Sequence, residues 1–390
     1  MLKVIFTSDY EIHGNGDGCP YELMVEPTYR MLRQFDEYGA KLTIMADIAE
    51  ILKFKEYADE HGRDDYHYGK IVDQLRDAIR RGHDVQLHIH SSYFNARHER
   101  GRWVQDWSEY NFAGLKPERL NEVIRIGKEF LESMLRPVNP NYCCEVFRAA
   151  NWSVSPSENV VRALVENGIK IDTSVFKYGR RDGLVNFDYS NACSGLVPWK
   201  ASKDDICVPD ATSELFEFPI YSENRWVGAF LTPQRIYRAC VSRVHRVSDY
   251  NGDPATNQAG RAKSNQVPFI KSNWLTRKHA WKADFNQCSG RQLNAALRRA
   301  QVQCIGAASD LPFVLIGHSK LFTRFNERSL RSFLSYVANS PESFGFAKFG
   351  DLNLQCLENY WSASGQVPIN AEMLAGSGEG DAVSRNGIGS

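Results

Sequence analysis

The chain of 390 residues has no excess of charge of either sign: 47 Lys and Arg balance 47 Asp and Glu. Nucleic acid and anionic membrane surfaces attract a basic surplus, so neither is expected as a partner. Long apolar runs are also missing, and nothing approaches the roughly 18 residues that a membrane span requires. The opening Met-Leu-Lys-Val-Ile-Phe-Thr-Ser-Asp-Tyr has no charged leader and no small-residue cleavage site, so no transmembrane segment and a cytoplasmic location are expected. The nine cysteines are odd in number, scattered, and never spaced as Cys-x-x-Cys. That excludes a thiolate zinc site of the usual spacing and fits reduced thiols rather than a disulfide framework.

What is present is ordinary globular material. With 43% hydrophobic and 12% aromatic residues, the chain can bury one large core or two modest ones. In the first half, strand and helix patterns alternate. Leu2 to Ser8 reads as a buried strand, Pro27 to Tyr38 as a helix stopped by Gly39, and Lys41 to Met45 as a second strand. Tyr68 to Arg81 has Ile71, Leu75 and Ile79 on one helical stripe, Gly82 ends it, and Asp84 to Leu87 leads into His88. Pro117 opens a helix to about Leu135, Glu145 to Arg148 is a short strand, and Pro156 to Asn167 is a helix before the strand Ile169 to Ile171. This βα repetition implies a parallel sheet covered by helices. Between Tyr178 and Gln287 the rhythm weakens into an elaborated loop region, about 178–287, with a strand at Leu215 to Ile220 and a Gly-, Asn- and Pro-rich stretch from Asn251. Gly290 to Ala307 and Asn326 to Val337 are helical, and Phe313 to Ile316 is the last apolar strand. Residues 351–375 form an extension, and 376–390 have too little apolar content to pack, so a disordered tail is expected.

Acids and imidazoles sit where the apolar strands end: Asp9 and Glu11 after the first, His88 and His90 after another, His318 after the last. Residues two apart on an extended segment share a face, so Asp9 pairs with Glu11 and His88 with His90. If the strands lie side by side, these side chains converge on one rim, as in sites at the C-terminal edge of parallel sheets. An open doubly wound sheet satisfies the pattern too, but several strand ends sharing one centre suit a closed or nearly closed barrel better. His83, just after Gly82, reads as a structural partner of a helix C-terminus. His13 lies beside and Asp17 within the stretch Gly14 to Gly18, which lacks the lysine and helix start of a phosphate loop and reads as a rim loop.

Taken in order, the segments Thr7-Ser8-Asp9-Tyr10-Glu11, Gly82-His83-Asp84-Val85-Gln86-Leu87-His88-Ile89-His90, Phe147-Arg148-Ala149-Ala150-Asn151-Trp152, Asp172-Thr173-Ser174 and Leu315-Ile316-Gly317-His318 resemble the motifs of the polysaccharide deacetylase superfamily, also called NodB-like or carbohydrate esterase family 4. The likeness covers about residues 1–350. Two departures stand out: Tyr10 separates the acids of the first motif, as in a divergent Asp-x-Glu branch, and Ser92 stands where the second histidine is usual, leaving His90 as the nearest substitute. The resemblance implies a distorted (β/α) barrel and hydrolysis of an acetyl group on a sugar by a divalent metal, most often zinc. By the same resemblance Glu11, His88 and His90 are the metal ligands, and Asp9 is the general base held by Arg148. His318 is the general acid oriented by Asp172, and Asn151 and Trp152 shape the sugar subsite. The substrate is an acetylated saccharide or a sugar-linked precursor. Two alternatives stand beside it: a glycoside hydrolase using Asp9 with Glu11 or Glu217, and a non-catalytic saccharide-binding barrel, motivated by Ser92.

Overall fold

The computed structural model describes residues 1–231, 233, 236, 278–304 and 309–357. The expected 376–390 tail and residues 251–277 and 358–375 of the expected loop region and extension lie outside them. The central sheet is built from β1 (Leu2–Tyr10), β2 (Leu42–Asp47), β3 (Asp84–Ile89), β4 (Val146–Ala149), β5 (Ile171–Asp172), β6 (Trp199–Lys200), β7 (Phe216–Glu217), β8 (Leu311–His318) and β9 (Phe344–Phe346). Its order is β6-β7-β5-β4-β3-β2-β1-β8, with β9 beside the start of β1. All neighbours are parallel except β6 and β7. β1 and β2 are buried almost throughout, as continuous apolar strands covered on both faces should be.

The sheet curls until its two sides meet. Ile220, just past β7, bridges in parallel to Val314 of β8, and Asp284 bridges to Ile316. The fold is the expected distorted barrel, closed by single bridges rather than by a full strand ladder.

Helices cover the outside: α1 (Glu26–Glu37), α2 (Ile48–His61), α3 (Tyr68–Arg80), α4 (Pro117–Leu135), α5 (Glu158–Glu166), α6 (Gly290–Gln303) and α7 (Arg324–Ala338). Proline at the first position opens α4, where its missing N–H costs nothing. Ser289 with Gln292 and Thr323 with Asn326 form reciprocal caps on α6 and α7. Gly62, at φ 63°, ends α2. Helix α2 has no counterpart in the sequence reading. In the core, Phe6 of β1 meets Phe35 of α1, Phe333 of α7 and Phe285, at ring separations of 4.8, 5.8 and 6.3 Å.

Register decides what meets at the rim. β1 and β8 pair from Leu2 opposite Leu311 to Asp9 opposite His318. Asp47 stands opposite His88 and His88 opposite Arg148. The C-terminal ends of five strands therefore open onto one mouth.

Candidate metal centre

Glu11, Asp47, His88 and His90 each bring one donor atom to within 4.8 Å of all the others. His88 Nδ1 donates to the carbonyl of Arg148 at 2.8 Å. A carbonyl can only accept, so the proton sits on Nδ1 and a neutral His88 keeps its Nε2 lone pair for the cluster. That Nε2 lies 3.3 Å from Glu11 Oε2, and His90 Nδ1 lies 3.3 Å from the same oxygen. Two ligands at 2.0–2.1 Å from a tetrahedral zinc stand about 3.3 Å apart, so these spacings fit a zinc-sized ion. Two imidazoles with two carboxylates are a donor set for such a cation.

Asp47, which the sequence reading missed, serves twice. It caps α2 by accepting from the Ala49 and Glu50 amides, and its Oδ2 shares a proton with His90 Nδ1, a proton that has to leave before that nitrogen can take an ion. Lys320, also missed, places Nζ 2.8 Å from Glu11 Oε1 and 2.7 Å from the carbonyl of Ile12. Glu11 is thus split between Lys320 on one oxygen and the two imidazoles on the other. Burial pushes the Glu11 carboxyl up, but Lys320, His90 and His88 outweigh it and hold the group well below its ordinary range. For His88 and His90 burial works against charge, yet the surrounding carboxylates raise both.

Beside the cluster, fully buried Arg148 donates Nη1 to Asp9 Oδ1 at 2.7 Å and Nε to the Thr173 carbonyl at 2.9 Å. Burial raises the Asp9 carboxyl, but Arg148, His88 and His318 together bring it below its usual value. His318 Nε2 approaches the other Asp9 oxygen at 3.5 Å and Glu11 Oε1 at 4.0 Å. Burial lowers the His318 imidazole more than Asp9 and Glu11 raise it. Its Nδ1 has no hydrogen-bond partner among the described residues. Asn286 Oδ1 accepts from the His318 amide at 2.6 Å and fixes the strand end.

The structure thus brings Asp9, Glu11, His88, His90, Arg148 and His318 together. It does not bring Asp172 to His318: the Asp172 carboxylate accepts from Ser174 and neighbours Glu217, whereas the acid whose charge reaches His318 from the strap before α6 is Asp284. The reason is topological, since β5 and β8 are separated by β7 and the Ile220 segment. Ser92 is buried and donates to Gln105 at 2.7 Å, so it belongs to the wall. His83 Nδ1 accepts from the Leu42 amide at 3.1 Å, a structural bond outside the cluster.

Asn151 and Trp152 lie on the loop after β4, both left-handed at φ 55° and 56°, a conformation that costs a non-glycine residue energy. Asn151 Oδ1 accepts from Arg181 at 2.9 Å and Tyr110 at 3.3 Å. The Lys282 ammonium lies 3.5 Å from the centre of the Trp152 ring, a cation held on the face of the indole.

No family model matches the chain, and no curated protein matches it. Solved structures similar to it include a protein from Mycobacterium smegmatis provisionally named a polysaccharide deacetylase, with 14% identity over 93% of this chain and 91% of that one and a TM-score of 0.45. A 4-alpha-glucanotransferase from Thermococcus litoralis matches at 12% identity over 90% of this chain and 40% of its own, with a TM-score of 0.44. A protein from Pseudomonas aeruginosa PAO1, also provisionally named a polysaccharide deacetylase, matches at 13% identity over 93% and 91% of the two chains, with a TM-score of 0.42.

Proposed function

We propose that this chain is a metal-dependent hydrolase that removes an acetyl group from an N-acetylated sugar of a polysaccharide or its precursor. The observation that carries the reading is an arginine-held carboxylate, Asp9, and an imidazole, His318, next to each other beside a largely buried four-donor cluster. The order of the sequence motifs points the same way.

Glu11, His88 and His90, with Asp47 as a further donor, would hold the ion, and zinc suits this donor set and these spacings. When bound, such an ion supplies Lewis acidity to the acyl oxygen and acidity to a water. The remaining work falls to the chain. Arg148 occupies Asp9 Oδ1 and leaves Oδ2 to take the proton from the attacking water. His318 Nε2, 3.5 Å from that same oxygen, receives the proton and delivers it to the departing amine as the C–N bond breaks. The lowered basicity of His318 serves the second half of that transfer. Asn151 and Trp152 bound the sugar subsite.

Among the described residues no helix is long and apolar enough to cross a membrane. A cytoplasmic enzyme of this kind meets a nucleotide- or lipid-linked precursor rather than mature polymer. The carboxylate-pair alternative is disfavoured, because Glu217 is wholly buried against Asp172 and Glu11 is committed to Lys320 and the imidazoles.

The test is acetate release from N-acetylated saccharides after chelation and after zinc or cobalt is restored. Release should return with metal in the parent and be absent in Asp9→Asn, which keeps its metal, and in His88→Ala, which loses it. Metal-free protein that binds saccharide and never releases acetate would favour the binding barrel instead.

A further inference from the structure

Asp172 and Glu217 are two carboxyls with no part in the reaction above, and both are 0% exposed. They stand opposite each other on the paired strands β5 and β7, so their side chains leave the sheet together on one face. Asp172 accepts from the Ser174 hydroxyl at 2.8 Å and the Ser174 amide at 3.1 Å. Glu217 Oε1 accepts from the Val175 amide at 3.1 Å. Its Oε2 receives no hydrogen bond from a donor among the described residues, and its neighbour is the Asp172 carboxyl. A buried carboxyl oxygen without a donor, beside a second carboxyl, is satisfied when it carries a proton and donates it across the pair.

The turn gripped by these two acids is the one that holds the arginine. Between Asp172 and Ser174, Thr173 accepts from Arg148 Nε with its carbonyl at 2.9 Å and from Nη2 with its hydroxyl at 3.4 Å. That hydroxyl donates onward to the Phe218 carbonyl, next to Glu217, at 2.8 Å. Ser174 Oγ accepts from the Ala149 amide at 2.9 Å, one residue past Arg148. The charged neighbour of the acids is Arg148, whose Nη1 is given to Asp9. Tyr189 and Cys207, titratable groups that also face them, are both pushed up by burial and stay neutral.

We propose that Asp172 and Glu217 share one proton and that this pair braces the Thr173–Val175 turn, which in turn locks Arg148 against Asp9. Both are positioning residues, acting on the base through the arginine. The positioning role rests on the reading of Asp9 as the base; the shared proton does not.

Full-length Glu217→Gln and Glu217→Leu are compared with the parent for acetate release, bound zinc and melting temperature across about pH 5 to 9. An amide can accept from Val175 and donate to Asp172, so Glu217→Gln should keep kcat within about threefold. Glu217→Leu removes the brace at similar volume and should lower kcat about tenfold or more, with KM and bound zinc unchanged. Burial, with Asp172 adding to it, raises the Glu217 carboxyl well above its ordinary value. The folded chain then keeps a proton that the unfolded chain releases, so parental stability falls as pH rises above the ordinary carboxyl range. Glu217→Gln should flatten that fall and melt higher than the parent at alkaline pH. A Leu variant with parental kcat overturns the brace, and a Gln variant as impaired as Leu, or pH curves parallel to the parent's, overturns the shared proton. If Leu does not fold, Asp172→Asn, which sets an amide against the Ser174 donors, replaces it with the same expected loss of kcat. Should the parent release no acetate from any substrate, the hydrolase reading fails, while the pH curves still judge the pair.

Discussion

Lys320 and Asp47 change what the residues around them can do. With Lys320 on Oε1, Glu11 offers the cluster one oxygen, and a fixed positive charge stands beside the place where a cation would sit. Like charges at such range repel even through a screening environment. Lys320→Met should therefore bind zinc about tenfold more tightly, measured by competition with a chromogenic chelator. Weaker binding would mean that the lysine holds Glu11 in place more than it repels the ion. The six residues that converge were legible because each ends an apolar strand. Asp47 ends one too, but Asp before Ile-Ala-Glu also reads as a helix cap, and it does cap α2. Lys320 sits past a strand end and carries no pattern; its reach to Glu11 comes from the pairing of β1 with β8. The assignment of Asp172 to His318 misjudged which side of the barrel each acid faces, something motif order does not encode.

Among the elements, β8 must deliver His318 at one height, and Gly317 makes that possible. A Cβ at Gly317 would lie 2.1 Å from the Phe285 ring, and that ring is packed against Phe6. Gly317→Ala should cost about 1–3 kcal/mol by overpacking, read by denaturant titration. It should also lower turnover more than zinc binding, because the strand end rather than the ligand set moves. The strands and most helices followed their periodicities, whereas α2 escaped notice. Its buried apolar positions Ile48, Ile51, Phe54 and Tyr57 recur every three residues, so the stripe drifts around the helix instead of holding the 3.6-residue period. The strand expected at Leu215 to Ile220 pairs only at Phe216–Glu217 before Ile220 turns to β8.

For the whole molecule, alternation of strand and helix announced a parallel sheet and the convergence of strand ends favoured a barrel, but which segments close it was not written in any pattern. Closure depends on isolated bridges from irregular segments to Val314 and Ile316, and such contacts leave no periodicity. Global stability should carry two opposed titrations at the entry to β3. His83, lowered to about 4 chiefly by burial, binds fewer protons folded than unfolded, so stability rises as pH goes from about 4 to the ordinary histidine value. Asp84, raised to about 6 by burial, does the reverse, and stability falls between the ordinary aspartate value and about 6. Both donors to Asp84, the Val85 amide and Gln86 Nε2, bond its Oδ1, an oxygen that asparagine keeps. Asp84→Asn should therefore remove the fall and leave the rise, giving a melting temperature that climbs more steeply than the parent's over this range; parallel curves would show that Asp84 ionises freely.

The pairing of β1 with β8 also orders events in time. Strand β1 leads through Asp9 into Glu11, but its partner, from Leu311 to His318, is made only after some three hundred further residues. Until then β1 has an open edge, and closing so long a loop is a slow step. A nascent or truncated chain ending before Leu311 lacks His318, Lys320 and the strand that pairs along Asp9, so the rim around Asp9 and Glu11 stays incomplete until β8 is made.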